Sequence, residues 1–66
     1  MQSLIRLDEV ERRTTHSRSE IYKRMRAGKF PRPVKLSRRV MAWVEQEVND
    51  YVETQIAARD DEQRAK

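Results

Sequence analysis

The residues of this chain that are best suited to chemistry are cations, and most of them lie between Ser17 and Arg39. That segment carries nine basic side chains and a single acid, Glu20, which gives it a local charge of +8 in a chain whose total is +4. Guanidinium and ammonium groups at this density bind phosphates, so the segment indicates a surface for nucleic acid. The nine are Arg18, Lys23, Arg24, Arg26, Lys29, Arg32, Lys35, Arg38 and Arg39.

The two parts of the chain differ in the sign of their charge. Residues 1–43 contain twelve Lys or Arg and four Asp or Glu, whereas residues 44–66 contain three and seven. A surface that only has to be solvated mixes both signs. The first part is therefore suited to meet a polyanion and the second to avoid one.

The sequence contains few residues suited to catalysis or to metal binding. The chain has no cysteine and a single histidine, His16. A zinc site needs several such ligands, and an enzyme needs a nucleophile with its base or a pocket with a metal. Glu45 and Glu47 are two residues apart and face different ways on a helix, so they mark a helix start and not an acid–base pair. We expect no catalytic residue, no metal, no cofactor and no small-molecule substrate.

The length of the chain limits it to one domain. A single core in 66 residues rarely supplies more than about 3–5 kcal/mol, so either marginal stability or help from a partner or a dimer is expected. No apolar run approaches the roughly 20 residues of a membrane span, and the N-terminus lacks a secretory apolar region. We expect a cytoplasmic, nucleoid-associated protein with no membrane partner.

A short first helix is predicted to position the start of the basic segment. Asp8 followed by Glu11 has the spacing of a capping box and predicts Asp8 as the N-cap. The helix is expected to run from Glu9 to Thr14, with Val10 as its clearest core residue. The run Thr14-Thr15-His16 then breaks it.

A second helix carries the first half of the basic segment. Ser17-x-x-Glu20 is a second capping box, and Ile21 with Met25, one turn apart, forms a buried stripe. Gly28 lies where a helix ends on a left-handed residue. Two short helices with a three-residue break between them are typical of a helix-turn-helix.

A small hairpin carries the second half. The run Phe30-Pro31-Arg32-Pro33 cannot continue a helix. Residues 34–36 then alternate as an edge strand, 37–39 form a turn, and 40–43 form the return strand. Periodicity leaves the buried face of the return strand open between residues 40 and 42 and residues 41 and 43. Phe30 and Trp43 are expected in the core, since a base-stacking surface needs several exposed aromatics.

The last helix begins at Glu45 and Glu47, where acids suit the positive end of the helix dipole. Its apolar side is predicted from helical spacing as Val44, Val48, Tyr51, Val52 and Ile56. From about Arg59 the sequence is almost entirely polar and predicts a frayed, disordered tail. The expected division is a DNA-binding domain over 1–58 and a charged tail over 59–66.

Four blocks of this sequence, in this order, resemble the AlpA family of small phage-derived transcriptional regulators, which are related to excisionases and to MerR-type winged-helix domains. The resemblance covers about residues 4 to 57. The blocks are RL-x-EV at residues 6–10, SRS-x-IY at 17–22, G-x-FP-x-PVKL at 28–36 and W-x-E-x-EV at 43–48.

The resemblance implies a fold that is mainly α with a small β-hairpin, a winged helix-turn-helix of three helices plus wing. It places the second helix in the major groove of DNA, and it favours Met41 and Trp43 as the inward pair, packed on Val48 and Val52. Two features depart from the family pattern: Glu20 stands where Thr is frequent, and the turn at 14–15 lacks a Gly.

A recognition helix contacts bases mainly through its N-terminal residues. Arg18 can pair with a guanine edge, Ser17 suits a phosphate at the helix start, and Tyr22 can reach a phosphate or a thymine methyl. The hairpin cations are expected on phosphates or in the adjacent minor groove. The predicted DNA-binding residues are Ser17, Arg18, Ser19, Tyr22, Lys23, Arg26, Lys35, Arg38 and Arg39.

Several functions remain open at this stage. The first is sequence-specific binding of double-stranded DNA by a small phage-type transcriptional regulator, with further copies of itself on the DNA. An excisionase, or recombination directionality factor, that bends DNA at attachment sites would use the same fold. A protein-interaction adaptor would use the acidic last helix, and RNA binding lacks a stacking platform. Each basic side chain can also be merely a solvated surface residue, and Arg38 and Arg39 can protect an edge strand from aggregation.

Overall fold

The computed structural model describes residues 2–64 as three helices and three short strands. In chain order these are β1 (Leu4–Ile5), α1 (Leu7–Thr14), α2 (Arg18–Arg26), β2 (Val34–Lys35), β3 (Met41–Val44) and α3 (Glu45–Arg64). The chain is mainly helical with a small antiparallel sheet, as expected for a winged helix-turn-helix, and the predicted fold class is confirmed.

The sheet has one more strand than the sequence predicts. Its order is β1-β3-β2, and both pairings are antiparallel. In β1, Leu4 lies opposite Val44 and Ile5 opposite Trp43, whereas the sequence suggests only a short apolar lead-in there. The backbone N–H of Glu45 also donates to the carbonyl of Ser3 at 2.8 Å, so the N-terminal segment caps the start of α3.

The start of α1 differs from the prediction of an N-cap at Asp8. Arg6 occupies the N-cap position, with no side-chain hydrogen bond to the helix end, and the N–H of Val10 donates to the Arg6 carbonyl at 3.0 Å. Asp8 therefore lies inside the first turn. The earlier start places Leu7 one turn before Val10, and both side chains pack into the core.

The turn between α1 and α2 contains a strained residue. Thr15 has a φ of 60° and is the only described non-glycine residue with a positive φ. Its N–H donates to the Glu11 carbonyl at 2.8 Å, which ends α1 in a left-handed cap. A β-branched residue is disfavoured in this conformation, so Thr15 occupies the place that the missing Gly would take.

Helix α2 has the predicted ends. The Ser17 hydroxyl accepts the N–H of Glu20 at 3.2 Å, which confirms Ser17 as the N-cap. Gly28 has a φ of 73°, and the N–H groups of Gly28 and Lys29 donate to the carbonyls of Met25 and Arg24 at 3.0 and 2.8 Å. These two bonds form a Schellman motif, so Gly28 ends the helix as predicted.

The core packs beneath α2 and the sheet. Trp43 is fully buried, and its indole N–H donates to the Pro31 carbonyl at 3.1 Å, which ties the segment after α2 to β3. Phe30 lies against Tyr51 with ring centroids 4.6 Å apart. The buried core residues are Val10, Ile21, Phe30, Trp43, Val48 and Tyr51.

The expected inward pair of β3 is right for Trp43 and wrong for Met41. Met41 shares the face of Trp43, but it is only half-buried and lies outside the core, at the edge of a cleft. Ala42, on the opposite face and opposite Val34, is 1 % exposed. The strand also runs over 41–44 where 40–43 is predicted, so Val44 belongs to β3 and not to the last helix.

Helix α3 packs on the core only through its first half. Val48 and Tyr51 are buried and Val52 packs against them, whereas Ile56 is 41 % exposed. The side chains of residues 53–63 are exposed, and the helix continues through Arg64. The division at residue 58 and the fraying of the tail stay predictions, and residues 65 and 66 lie outside the described part of the chain.

Candidate nucleic-acid interface

The predicted site residues lie on two neighbouring elements. Those of α2 and its N-cap, namely Ser17, Arg18, Ser19, Lys23 and Arg26, are exposed, and Tyr22 is half-buried. Lys35 is exposed on β2. Arg38 and Arg39 are exposed in the turn between β2 and β3. We call the segment from β2 to β3 the wing.

Within residues 2–63 the arginines fall into two groups according to whether a carboxylate neutralises them. Arg13 contacts Glu9 at 2.7 Å and Glu45 at 3.0 Å, and Arg59 contacts Asp60 at 2.7 Å. Arg12 also pairs with Glu9. We call these, with Arg24, the paired arginines. Within residues 2–63 no carboxylate lies within 4.0 Å of the others, the unpaired arginines, which are Arg6, Arg18, Arg26, Arg32, Arg38 and Arg39.

Glu9 is the centre of the paired group. Hydrogen bonds from Arg12, and then from Arg13, stabilise its charged form and lower its pKa from the ordinary value of 4.5 to about 2. The carboxylate is thus ionised at any physiological pH. Two arginines of α1 are neutralised by it and by Glu45 and offer little free charge to an anion.

Glu20, the one acid of the basic segment, forms an ion pair inside α2. Its Oε2 lies 2.7 Å from the Nε of Arg24, and both side chains are about one-third exposed. The Arg24 Nε–H has no aligned hydrogen-bond acceptor in the described part of the chain, so the contact is electrostatic rather than a directed hydrogen bond. Glu20 consequently neutralises Arg24 and leaves Arg18, Lys23 and Arg26 free.

Three unpaired arginines from three different elements line one cleft of about 530 Å³. Arg6 comes from the N-cap of α1, Arg18 from the start of α2 and Arg39 from the turn of the wing. We call it the arginine cleft; its other lining residues are Leu7, Asp8, Tyr22, Met41 and Trp43. The structure thereby brings together Arg18, Tyr22 and Arg39 from the predicted set.

Arg6 is absent from the predicted set. Its approach to α2 and to the wing follows from the pairing of β1 with β3, which carries the chain across the sheet immediately before Arg6. No local spacing in the sequence signals that pairing. The only available signal is that Arg6 begins the first of the four blocks that resemble the AlpA family.

Arg18 is oriented by its neighbour one turn later. Its guanidinium carbon lies 5.7 Å from the centroid of the Tyr22 ring, within the range of a cation–π contact. The half-buried Tyr22 thus supports an exposed cation at the first position of α2. A planar donor fork in that position suits bidentate hydrogen bonding.

The remaining predicted residues are more dispersed. Arg26 lines a shallow pocket with Met25, Arg32 and Pro33 at the far end of α2. Lys23, Lys35 and Arg38 are exposed and line none of the described pockets. The cations therefore extend along α2 and the wing instead of converging on one enclosed point.

His16 has a structural position. Its Nε2 lies 3.0 Å from the Tyr51 hydroxyl, and the two rings meet edge to face with centroids 5.9 Å apart. The contact joins the turn before α2 to α3. Over the described residues, no three His, Cys, Asp or Glu side chains gather as metal ligands, and no helix has the length and apolar character to cross a membrane.

Comparison with known proteins places this sequence in a family. The sequence profile described as "Prophage CP4-57 regulatory protein (AlpA)" matches residues 3–56, which include all elements of the fold up to the middle of α3. No curated protein and no solved structure matches the chain significantly. The match covers well over half of the sequence, and the chain therefore belongs to the AlpA family of phage regulatory proteins.

Proposed function

We propose that this protein is a sequence-specific, double-stranded DNA-binding regulator. The observation that carries the proposal is the distribution of free charge within residues 2–63: the unpaired arginines and the exposed lysines lie on α2, on the wing and beside them, while the paired arginines are neutralised. Membership in a family of phage regulatory proteins supports the same function. Such a protein acts on the nucleoid, in the cytoplasm.

Helix α2 is proposed as the recognition helix in the major groove. Its N-terminus is capped by Ser17 and is followed by Arg18 and Ser19, both exposed. The first residues of a recognition helix meet base edges. We assign Arg18 to a guanine, Ser17 to a phosphate at the helix start, and Tyr22 to a phosphate or a thymine methyl.

The wing and the far end of α2 are proposed to position the protein on the DNA backbone. Lys35, Arg38 and Arg39 are exposed cations on one hairpin, suited to phosphates or to a narrow minor groove. Lys23 and Arg26 extend the positive surface along α2. One reader of this size covers few base pairs, so we propose that two or more copies occupy a natural site.

A salt titration tests this function. If about five or six phosphates are neutralised, a plot of log affinity against log salt for a fluorescent duplex falls with a slope near −5. The control is the same titration with a neutral, uncharged analogue of the duplex backbone, which should show no binding.

An affinity that does not change with salt, or no binding at all to duplex DNA, would contradict the proposal. An adaptor that uses the acidic side of α3 would show no shift of DNA and would bind a protein through residues 44–58. An excisionase would bind DNA with the same salt dependence and would also bend it, which a circular-permutation gel shift measures.

A further inference from the structure

We infer that the arginine cleft binds a single phosphate group of the DNA backbone, with Arg6 and Arg39 as its ligands. The inference rests on the proposed function and adds to it a residue, Arg6, that belongs to neither the recognition helix nor the wing. Arg18, in cation–π contact with Tyr22, then remains available for the neighbouring base edge.

The net positive charge of the cleft favours the binding of an anion. Its walls carry three guanidinium groups and one carboxylate, that of Asp8, and in residues 2–63 none of the three arginines has a carboxylate within 4.0 Å. Three like charges in one cleft repel each other, and a phosphate between them removes that repulsion. Planar guanidinium groups also match phosphate oxygens in a bidentate geometry.

The backbone around the cleft has the same polarity. Arg6 is an N-cap without a side-chain hydrogen bond, so the first N–H groups of α1 have no side-chain acceptor. The start of α2 at Arg18 lines the same cleft. Residues from the first turns of two helices therefore border the cleft, and each helix N-terminus carries the positive end of a helix dipole.

The position of the cleft favours a backbone phosphate as the source of this group. The cleft lies between α2 and the wing, the two elements proposed to contact DNA, and Arg6, Arg18 and Arg39 are all exposed at its rim. A strand of duplex that follows α2 into the wing must pass this point. Free inorganic phosphate has the same chemistry, and the experiment below separates the two sources.

The test compares two arginines of the same element of the fold. Arg6→Gln removes a cleft ligand, whereas Arg12→Gln removes an exposed arginine of α1 that is already paired with Glu9. We expect Arg6→Gln to weaken binding to duplex DNA about tenfold and to reduce the salt slope by about 0.9, the share of one phosphate. Arg12→Gln should change neither, and circular dichroism confirms that both variants fold.

A third variant is expected to strengthen DNA binding instead of weakening it. Asp8 is the only carboxylate of the cleft and repels a phosphate there, so Asp8→Asn should tighten DNA binding severalfold. In a duplex with one neutral methylphosphonate at the contacted position, wild-type protein should lose affinity, and Arg6→Gln should lose clearly less because only Arg39 still contacts that phosphate. Scanning this substitution along the backbone locates the contacted phosphate.

The outcomes separate the inference from the proposed function. If the wild-type protein binds no DNA, the function is wrong and the inference fails with it. If the wild-type protein binds DNA with a steep salt slope but Arg6→Gln behaves like Arg12→Gln, the function stands and the inference is wrong. Saturable NMR shifts at Arg6 and Arg39 with inorganic phosphate, together with equal DNA affinity of Arg6→Gln and wild type, would assign the cleft to a free anion and overturn the inference.

Discussion

Arg12, Arg13 and Arg59, on α1 and α3, and the unpaired arginines of α2 and the wing have the same chemistry and opposite circumstances. Arg12 and Arg13 share the carboxylate of Glu9, and Arg59 lies beside Asp60. Arg18 and Arg39, in contrast, have no carboxylate neighbour among residues 2–63. The difference teaches that the number of cations on a surface says less about binding than the number left without an internal partner.

The ion pairs of the paired arginines affect the charge distribution of the molecule. Exposed ion pairs contribute little to folding stability, since solvent screens them and ordering two long side chains has an entropic cost. Their main effect here is electrostatic: acids of α1 and α3 neutralise nearby arginines and limit the free positive charge to one part of the molecule. If the protein binds DNA as proposed, a directional field of this kind orients the approaching duplex.

The largest expected effect on DNA affinity is that of replacing Arg18, one of the unpaired arginines. Replacing Arg18 with Ala should cost about 1–3 kcal/mol of binding to the specific site, because the proposed bidentate contact with a guanine is lost, and should change binding to random DNA much less. Arg38→Ala should weaken binding to specific and random DNA alike, because the contact proposed for it is with a phosphate only. Fluorescence anisotropy with both duplexes measures the two ratios.

Arg13→Ala is the matched control from the paired side. It should leave both affinities within about twofold of wild type, because Arg13 is already neutralised by Glu9 and Glu45. Equal losses for Arg18→Ala and Arg13→Ala would abolish the distinction between paired and unpaired arginines.

A smaller effect is expected at Thr15, in stability alone. Thr15→Gly relieves the left-handed strain at a φ of 60° but loosens the unfolded chain, for a net gain of about 0.5–1 kcal/mol. The melting temperature followed by circular dichroism should rise by a few degrees. DNA affinity should not change, since Thr15 lies outside the arginine cleft.

Thr14→Gly is the control for that prediction. Thr14 is helical, and its hydroxyl donates to the Val10 carbonyl at 2.8 Å, so the same substitution one residue earlier should destabilise the fold. A loss of stability in Thr15→Gly would show that the left-handed conformation carries no strain.

The smallest expected effect is the pH dependence of folding stability that arises from the ion pairs of Glu9. The pKa of Glu9 is lowered to about 2 in the fold by its hydrogen bonds from Arg12 and Arg13. Its contribution to stability is therefore fully present above pH 4.5 and is lost as the pH falls from 4.5 towards 2. Denaturant titrations at a series of pH values should show that the free energy of unfolding of Glu9→Gln falls less steeply between pH 4.5 and pH 2 than that of wild type. Equal slopes would contradict the ion pairs of Glu9.

The features that the sequence predicts well are the local ones. Ser17 caps α2 through a bond to a residue three positions away, and Gly28 ends it through bonds within six residues, so both can be recognised from spacing alone. The features that it misses depend on distant contacts. Strand β1 exists because Leu4 and Ile5 pair with residues about forty positions later, and α1 follows it directly, beginning at Leu7 with Arg6 as the N-cap where the sequence predicts Glu9 and Asp8.

The same reasoning applies to the site. The basic character of α2 and the wing can be counted in the sequence, but the state of each cation depends on where the acids lie in the fold. Glu20 is the clearest case, because its spacing to Arg24 permits an ion pair and its cap position permits another role, and only the geometry shows the pair. Arg6 joins the cleft through the sheet, which no local pattern predicts.

Trp43 gives the protein an optical reporter at a useful place. It is the only tryptophan of the chain, it is completely buried, and it is among the residues that border the arginine cleft. Its fluorescence in wild-type protein should report unfolding, when the indole leaves the core and loses its bond to Pro31. If DNA fills the cleft as inferred, the same signal, without any added label, should change on binding, and a stopped-flow experiment would then give the rate of association.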